Sequence, residues 1–280
     1  DVNGCQDVAT VTVTVNIPPV ADALATPDVI CLGDVSTLDA GGSTGNGPLT
    51  YQWDDPTSAT TVSVVVTPSV TTTYHVTVTD VNGCSDVASV TVTVNPLPVA
   101  DATATPDIIC LGDVSTLDAG GSTGNGPLTY QWDDPTSATT VSVVVTPSVT
   151  TTYHVTVTDV NGCSDVASVT VTVNPLPTAD AVATPDALCL GGNSTLDAGG
   201  STGNGPLTYQ WDDPTSATTV TVVVTPSVTT TYNLTVTDVN GCQDMASVTV
   251  TVYPLPTADA GADVAICLND CTTLTATGGG

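Results

Sequence analysis

The chain of 280 residues contains no lysine, no arginine and no phenylalanine. Its 28 acidic residues are all aspartates, and only two histidines stand against a formal charge of -28. Such a surface repels phosphate, which excludes nucleic acid and anionic membrane as partners. Without lysine, the Lys–Asn isopeptide cross-links that stiffen some bacterial stalks are also excluded. Aromatics are scarce, with three Trp and seven Tyr, so a core must be assembled from Val, Leu and Ala around one Trp per domain. Cores that thin need further support. No apolar run approaches the ~18 residues of a membrane span, and no basic stretch opens the chain. Neither an anchor nor a signal peptide is therefore read within these residues. No zinc spacing, phosphate loop or Ser-His-Asp grouping occurs, and the expectation is a protein that is not an enzyme.

What the sequence has in abundance is repetition. Cys5, Cys84, Cys163 and Cys242 follow one another at intervals of 79 residues, as do Cys31, Cys110 and Cys189, with Cys267 another 78 further on. Residues 20–98 and 99–177 differ only at Leu24/Thr103 and Val29/Ile108. Repeats are placed at 18–96, 97–175 and 176–254. Residues 1–17 read as the C-terminal end of a preceding repeat and 255–280 as the start of a following one. These two pieces are too short to complete one another, so the chain is expected to be a window of a longer array, with strand donation between molecules as the alternative.

Each repeat opens on a proline joint (IPPVAD, NPLPVAD, NPLPTAD, YPLPTAD), where proline blocks pairing and stiffens the link. The strand signals STLDA, LTYQW, TTVSVVV, TYHVTVTD and VASVTVTV follow. The last two alternate Val with Thr, which buries one face. Glycine clusters and the VNGC tip make the connections. No helix is predicted. The expected fold is all-β: a tandem array of Ig-like antiparallel β-sandwiches of about seven short strands each. Trp53, Trp132 and Trp211 are expected to plug the three cores, and Tyr74, Tyr153 and Tyr232 to sit as tyrosine corners. His75 and His154 read as surface-facing strand residues, because the third repeat has Asn233 there.

The pattern CLGDVSTLDAGG, then YQWDD, then TTTYHVTVTDVNGCSDVASVTVTV resembles the Ig-like and PKD-like repeats of large bacterial surface proteins. It is most similar to those of Bacteroidetes-type adhesins exported by the type IX secretion system, gliding-motility adhesins included. One departure favours the Ig-like variant: the PKD signature continues F-G-D-G after W-D, whereas Asp54-Asp55-Pro56 follows Trp53 here. The resemblance implies an extracellular stalk or filament segment on a bacterial cell surface, holding a distal binding region outward. Its neighbours would be repeats of the same chain, or other copies in a filament. The alternative is that the repeats themselves bind glycans or neighbouring cells, or assemble into a fibre. The loop GGSTGNGPLT is the same in all three full repeats, which favours the first reading.

Nine cysteines at fixed spacing, without CxxC pairs, suggest an oxidising compartment. In an Ig-type topology the first turn and the last hairpin tip lie at opposite ends of a sandwich, ~25 Å or more apart for strands of ~8 residues, far beyond the ~7 Å that a disulfide spans. End-to-end stacking favours the cross-repeat pairs Cys31–Cys163 and Cys110–Cys242. Same-repeat pairs (Cys31–Cys84, Cys110–Cys163, Cys189–Cys242) remain the alternative, because single domains of the resembling family carry both cysteines. The aspartates gather by the same logic. Asp28, Asp34, Asp54 and Asp55 would come from one repeat, and Asp101, Asp159 and Asp165 from the next. Such a set could hold Ca2+ at the joint, which takes six to eight oxygens. The alternative is that aspartate simply favours turns.

Overall fold

A computed structural model describes residues 2–276 and Gly278; Asp1, Thr277, Gly279 and Gly280, which fall in the terminal half-repeats read from the sequence, lie outside the described residues. Among the described residues every regular element is a strand. In the first repeat the strands are β1 (Leu24–Thr26), β2 (Val29–Cys31), β3 (Ser36–Asp39), β4 (Thr50–Trp53), β5 (Ser63–Val66), β6 (Thr72–Thr79) and β7 (Ser85–Asn95). Alternation determines which side chains face inward: along β6, Tyr74, Val76 and Val78 are buried while Thr73 and His75 are exposed. On the exposed face Thr73 and Thr91 share a hydrogen bond of 2.8 Å across β6 and β7, which gives the threonines a use beyond β-propensity.

Two sheets form, in the orders β1-β3-β5 and β2-β7-β6-β4. They enclose Trp53, Leu38, Val76, Val78 and Val92, all within 1 % of complete burial. The indole Nε1 donates to the Thr61 carbonyl at 3.2 Å, so the one polar atom of the core plug is satisfied. The core cluster belongs entirely to the first repeat, and the corresponding cluster around Trp211 entirely to the third. The same strand orders recur in residues 103–174 and 182–253.

Pairing is antiparallel except at one edge, where β2 runs parallel to β7 with Cys31 opposite Asn95. β1 and β2 are two halves of a single edge segment that changes sheet at Pro27. Neither was singled out from the sequence, because three residues are too few to display a period. The segment breaks at a proline, which has no N–H to give to a ladder.

By backbone proximity the chain divides into two compact units. One comprises residues 1–103, 117–143 and 153–169; the other comprises 104–116, 144–152 and 170–280. The first contains the sandwich of the first repeat together with the VNGC hairpin of the second. The other contains the sandwich of the third repeat together with the Ile108–Cys110 strand, which pairs with Thr172–Asn174.

The terminal segments depart from expectation. Residues 5–15 carry the same Val–Thr alternation as β7, yet they form no strand and are exposed throughout. Residues 257–276 likewise form none. The strands they correspond to, β7 for the former and β1 to β3 for the latter, are built in each full repeat together with β4, β5 and β6. A lone strand has no ladder to complete.

Candidate functional site: the stapled joints

The hairpin tip Asp80-Val81-Asn82-Gly83-Cys84 is organised by its aspartate. Asp80, 6 % exposed, accepts through Oδ1 from the backbone N–H groups of Asn82 and Cys84, both at 2.9 Å. The Asp80 N–H in turn donates to the Cys84 carbonyl. Gly83 completes the turn at φ 80°, a conformation that side chains avoid. Asp159 and Asp238 bind their own tips in the same way, at 2.9–3.0 Å. The DVNGC motif is thus a rigid mount for a cysteine.

The opposite half of the joint is a socket at the end of β2. The Asp34 N–H donates to the Cys31 carbonyl and its carboxylate accepts from the Cys31 N–H, while the Leu32 N–H is held by the Asn95 carbonyl. Cys31 therefore sits against the C-terminal end of β7, whereas Cys84 precedes its first residue. An eleven-residue strand puts the two ~33 Å apart at ~3.3 Å per residue. That separation prevents a bond within the repeat.

Cys31 is instead bonded to Cys163, with the Cα atoms 5.6 Å apart, and Cys110 to Cys242, also at 5.6 Å. Each bond lies inside one of the two compact units and spans 132 residues of sequence. The same-repeat alternatives are not formed. Cys163 and Cys242 are each taken by the preceding repeat, and Cys84 and Cys189 are in no disulfide. Docking buries the tip: Cys163 and Cys242 are 1 % exposed, whereas Cys84 is half-buried. Beside the first bond a cavity of about 280 Å3 is lined by Pro27, Ile30, Asp34, Val35, Asn95 and the Asn161 of the docked tip.

The seven aspartates expected to share a cation are not brought together. Asp34 closes the socket turn and Asp159 the tip. Asp54 is engaged by His75, whose N–H donates to Oδ1 and whose Nδ1 lies 2.8 Å from Oδ2. Asp55 accepts from the Thr57 hydroxyl and from the N–H groups of Thr57 and Ala59. Asp165 accepts from the Ala100 N–H at 2.9 Å, tying the proline joint to its own hairpin. Asp101 is held through its N–H by the Ser122 hydroxyl, and the Asp28 carbonyl accepts from the Thr93 N–H. Among the described residues no three of His, Cys, Asp or Glu converge, and only Asp34 lines the first joint cavity. The donor set does not fit a calcium ion. Aspartate serves here chiefly as a turn-forming residue, as its side chain favours.

Asp55 shows what such a role does to a carboxylate. Burial pushes its pKa up, but the Thr57 hydroxyl and the Ala59 and Thr57 N–H groups outweigh that and hold it below the ordinary value. Asp134 and Asp213 behave alike for the same reasons. Tyr74, 5 % exposed, is shifted upward by burial and then by the nearby Asp55 charge. Tyr232 is shifted upward by burial, then by Asp213, and Tyr153 is equally buried. Asn233 does the work of His75 with an amide: its N–H and Nδ2 donate to the two oxygens of Asp212 at 2.7 and 2.6 Å.

No family model matches the chain, and no curated protein matches its sequence. Among solved structures it is similar to the N-terminal eight Ig domains of Down syndrome cell adhesion molecule, at a TM-score of 0.50 and 14 % identity, covering 86 % of this chain and 37 % of that one. The chain thus spans little more than a third of that structure. The similarity shows the Ig-like fold. Weaker matches include a 1.5-MDa bacterial ice-binding adhesin (TM-score 0.34, 18 % identity, 86 % of this chain and 100 % of that one). Another is a Ca2+-stabilized adhesin with which an Antarctic bacterium binds ice (TM-score 0.31, 17 % identity, 88 % and 77 %).

Proposed function

We propose that the chain is a stalk segment of a secreted bacterial surface adhesin, in which Ig-like repeats divided at 18–96, 97–175 and 176–254 hold a distal binding region away from the cell. The observation that carries this reading is the pair of disulfides joining one repeat to the next, at equivalent positions. A bond between modules adds nothing to either core but prevents the modules from separating, which is what a load-bearing connector requires. It also implies an oxidising, extracytoplasmic setting. The sequence resemblance to bacterial adhesin repeats supports the same reading.

Direct tests are binding of the purified chain to glycan arrays and to neighbouring cells. A stalk should show no saturable binding on either. Saturable binding abolished by changes in GGSTGNGPLT would instead make the repeats the adhesive elements.

A further inference from the structure

Both disulfides have the same uneven surroundings. Cys31 and Cys110, on the socket strands, are half-buried, whereas Cys163 and Cys242, on the docked tips, are 1 % exposed. The cavity of about 280 Å3 at the first bond is lined by Cys31 and not by Cys163. A second, of about 300 Å3, stands at the other bond and is lined by Cys110 and not by Cys242. In each, an aspartate and two asparagines share the wall with the cysteine: Asp34, Asn95 and Asn161 in the first, Asp113, Asn174 and Asn240 in the second. The aspartate is held against the cysteine, since its Oδ2 accepts from the N–H of Cys31 or Cys110 at 3.3 Å.

A disulfide opens when a thiolate attacks one of its two sulfur atoms, and the rate depends on which atom is reached and on which thiol leaves. Here the two criteria disagree. Burial and the Asp159 carboxylate, which accepts from the Cys163 N–H at 3.0 Å, make Cys163 the poorer leaving group. A residue closed to solvent cannot be attacked while its tip is docked, however, so access decides, and it favours Cys31. The carboxylate in the wall adds a second filter. It repels a thiol that brings a negative charge of its own and tolerates one whose thiolate is balanced by an ammonium group.

We propose that the two cavities admit small thiols to the disulfides, which open from the socket side with formation of mixed disulfides at Cys31 and Cys110, neutral and cationic thiols being preferred over anionic ones. The attacking sulfur bonds to Cys31 Sγ as the Cys31–Cys163 bond breaks; the electron pair leaves on Cys163 Sγ, which takes a proton from water. A second thiol then attacks the mixed disulfide, departs as the small-molecule disulfide and returns Cys31 as a thiol. Opening detaches the tip and leaves the first and third cores, each confined to one repeat, intact. The inference is carried by the joints and does not depend on the adhesin reading.

The test treats the folded 280-residue chain with mercaptoethanol, cysteamine or mercaptoethanesulfonate, blocks free thiols at intervals with iodoacetamide, and maps the peptides by mass spectrometry after cleavage at aspartate. Each rate is divided by that of the same thiol on a small uncharged disulfide, which removes differences in intrinsic reactivity. Adducts are expected on Cys31 and Cys110, with Cys163 and Cys242 carrying the blocking group. At low salt cysteamine should be fastest and the sulfonate slowest. Asp34→Asn should narrow the gap between sulfonate and mercaptoethanol at Cys31 by about fivefold, the factor that one unit charge at ~4 Å makes in water. Cys110 of the same chain, still beside Asp113, should keep its gap. Both gaps should close in 1 M salt, where the Debye length is ~3 Å. The socket turn tolerates the change, because the third repeat makes the same N–H to carbonyl bond with Gly192 in that place. Adducts on Cys163 or Cys242, or divided evenly between the bonded partners, would overturn the inference. So would disulfides that resist every thiol until urea unfolds the chain, or an Asp34→Asn gap that is unchanged at Cys31 or narrows equally at Cys110.

Discussion

At the scale of single residues, aspartate fixes backbone in this protein, and each use has a measurable consequence. Asp159→Ala removes the carboxylate oxygen, Oδ1, that accepts from the N–H groups of both Asn161 and Cys163. A loss of about 1–3 kcal/mol in urea unfolding is expected, from N–H groups left without their partner. More free thiol should also appear, because Cys163 is no longer aimed at Cys31. An unchanged midpoint and thiol count would contradict the role given to the tip aspartate. Asp55, Asp134 and Asp213 titrate below the ordinary value when folded. A depressed carboxylate stabilises the fold above its unfolded pKa, near pH 4, and that contribution is lost as pH falls through the folded value. Acid also relieves the chain's self-repulsion, so the effect should be read in 1 M salt, where the Debye length is ~3 Å. The urea midpoint should be level from pH 5 to 8 and fall below about pH 4. His75→Asn, which copies the third repeat, should shift stability by less than about 0.5 kcal/mol.

At the scale of elements, much of the sandwich was legible because its long strands alternate cleanly. β6 and β7 are visible in TYHVTVTD and VASVTVTV, and Trp53 is visible by its place in Y-x-W. What was not legible were strands whose identity depends on a partner rather than on pattern. β1 and β2 are three residues each and exist because β3 and β7 lie beside them. Residues 6–15 have the right pattern, yet among the described residues no strand is laid beside them. The joint aspartates were opaque for a related reason: sequence shows that they gather near the ends of repeats, but not that Asp34, Asp55 and Asp159 are already bonded within their own turns. Hydrogen exchange should therefore protect the amides of 72–79 and 85–95 and leave those of 5–15 and 257–276 exchanging near the random-coil rate. Strong protection in the terminal segments would mean they find a partner, such as a donated strand.

For the whole molecule, the two disulfides change covalent length without changing the cores. Each bond closes a loop of 132 residues, worth up to about 5 kcal/mol in the chain-entropy picture, although such figures are seldom reached in full. The first and third cores lie within single repeats, so reduction should leave the sandwiches folded and remove only their connection. The two loops also overlap. The shortest covalent route from Asp1 to Gly280 runs to Cys31, crosses to Cys163, returns to Cys110, crosses to Cys242 and continues to the end. It takes in about 120 residues, leaving about 160, or roughly 540 Å of extended chain at ~3.4 Å each, out of reach of a pulling force.

Single-molecule stretching between the two termini measures that hidden length directly. With cross-repeat bonds intact, full unravelling should stop short by roughly 540 Å, and adding a reductant under load should release that length in two steps. If the extension is the same with and without reductant, the repeats are not stapled to one another. If the hidden length comes in same-repeat portions of about 50 residues each, a spacing such as Cys31 to Cys84, the connectivity described here is wrong.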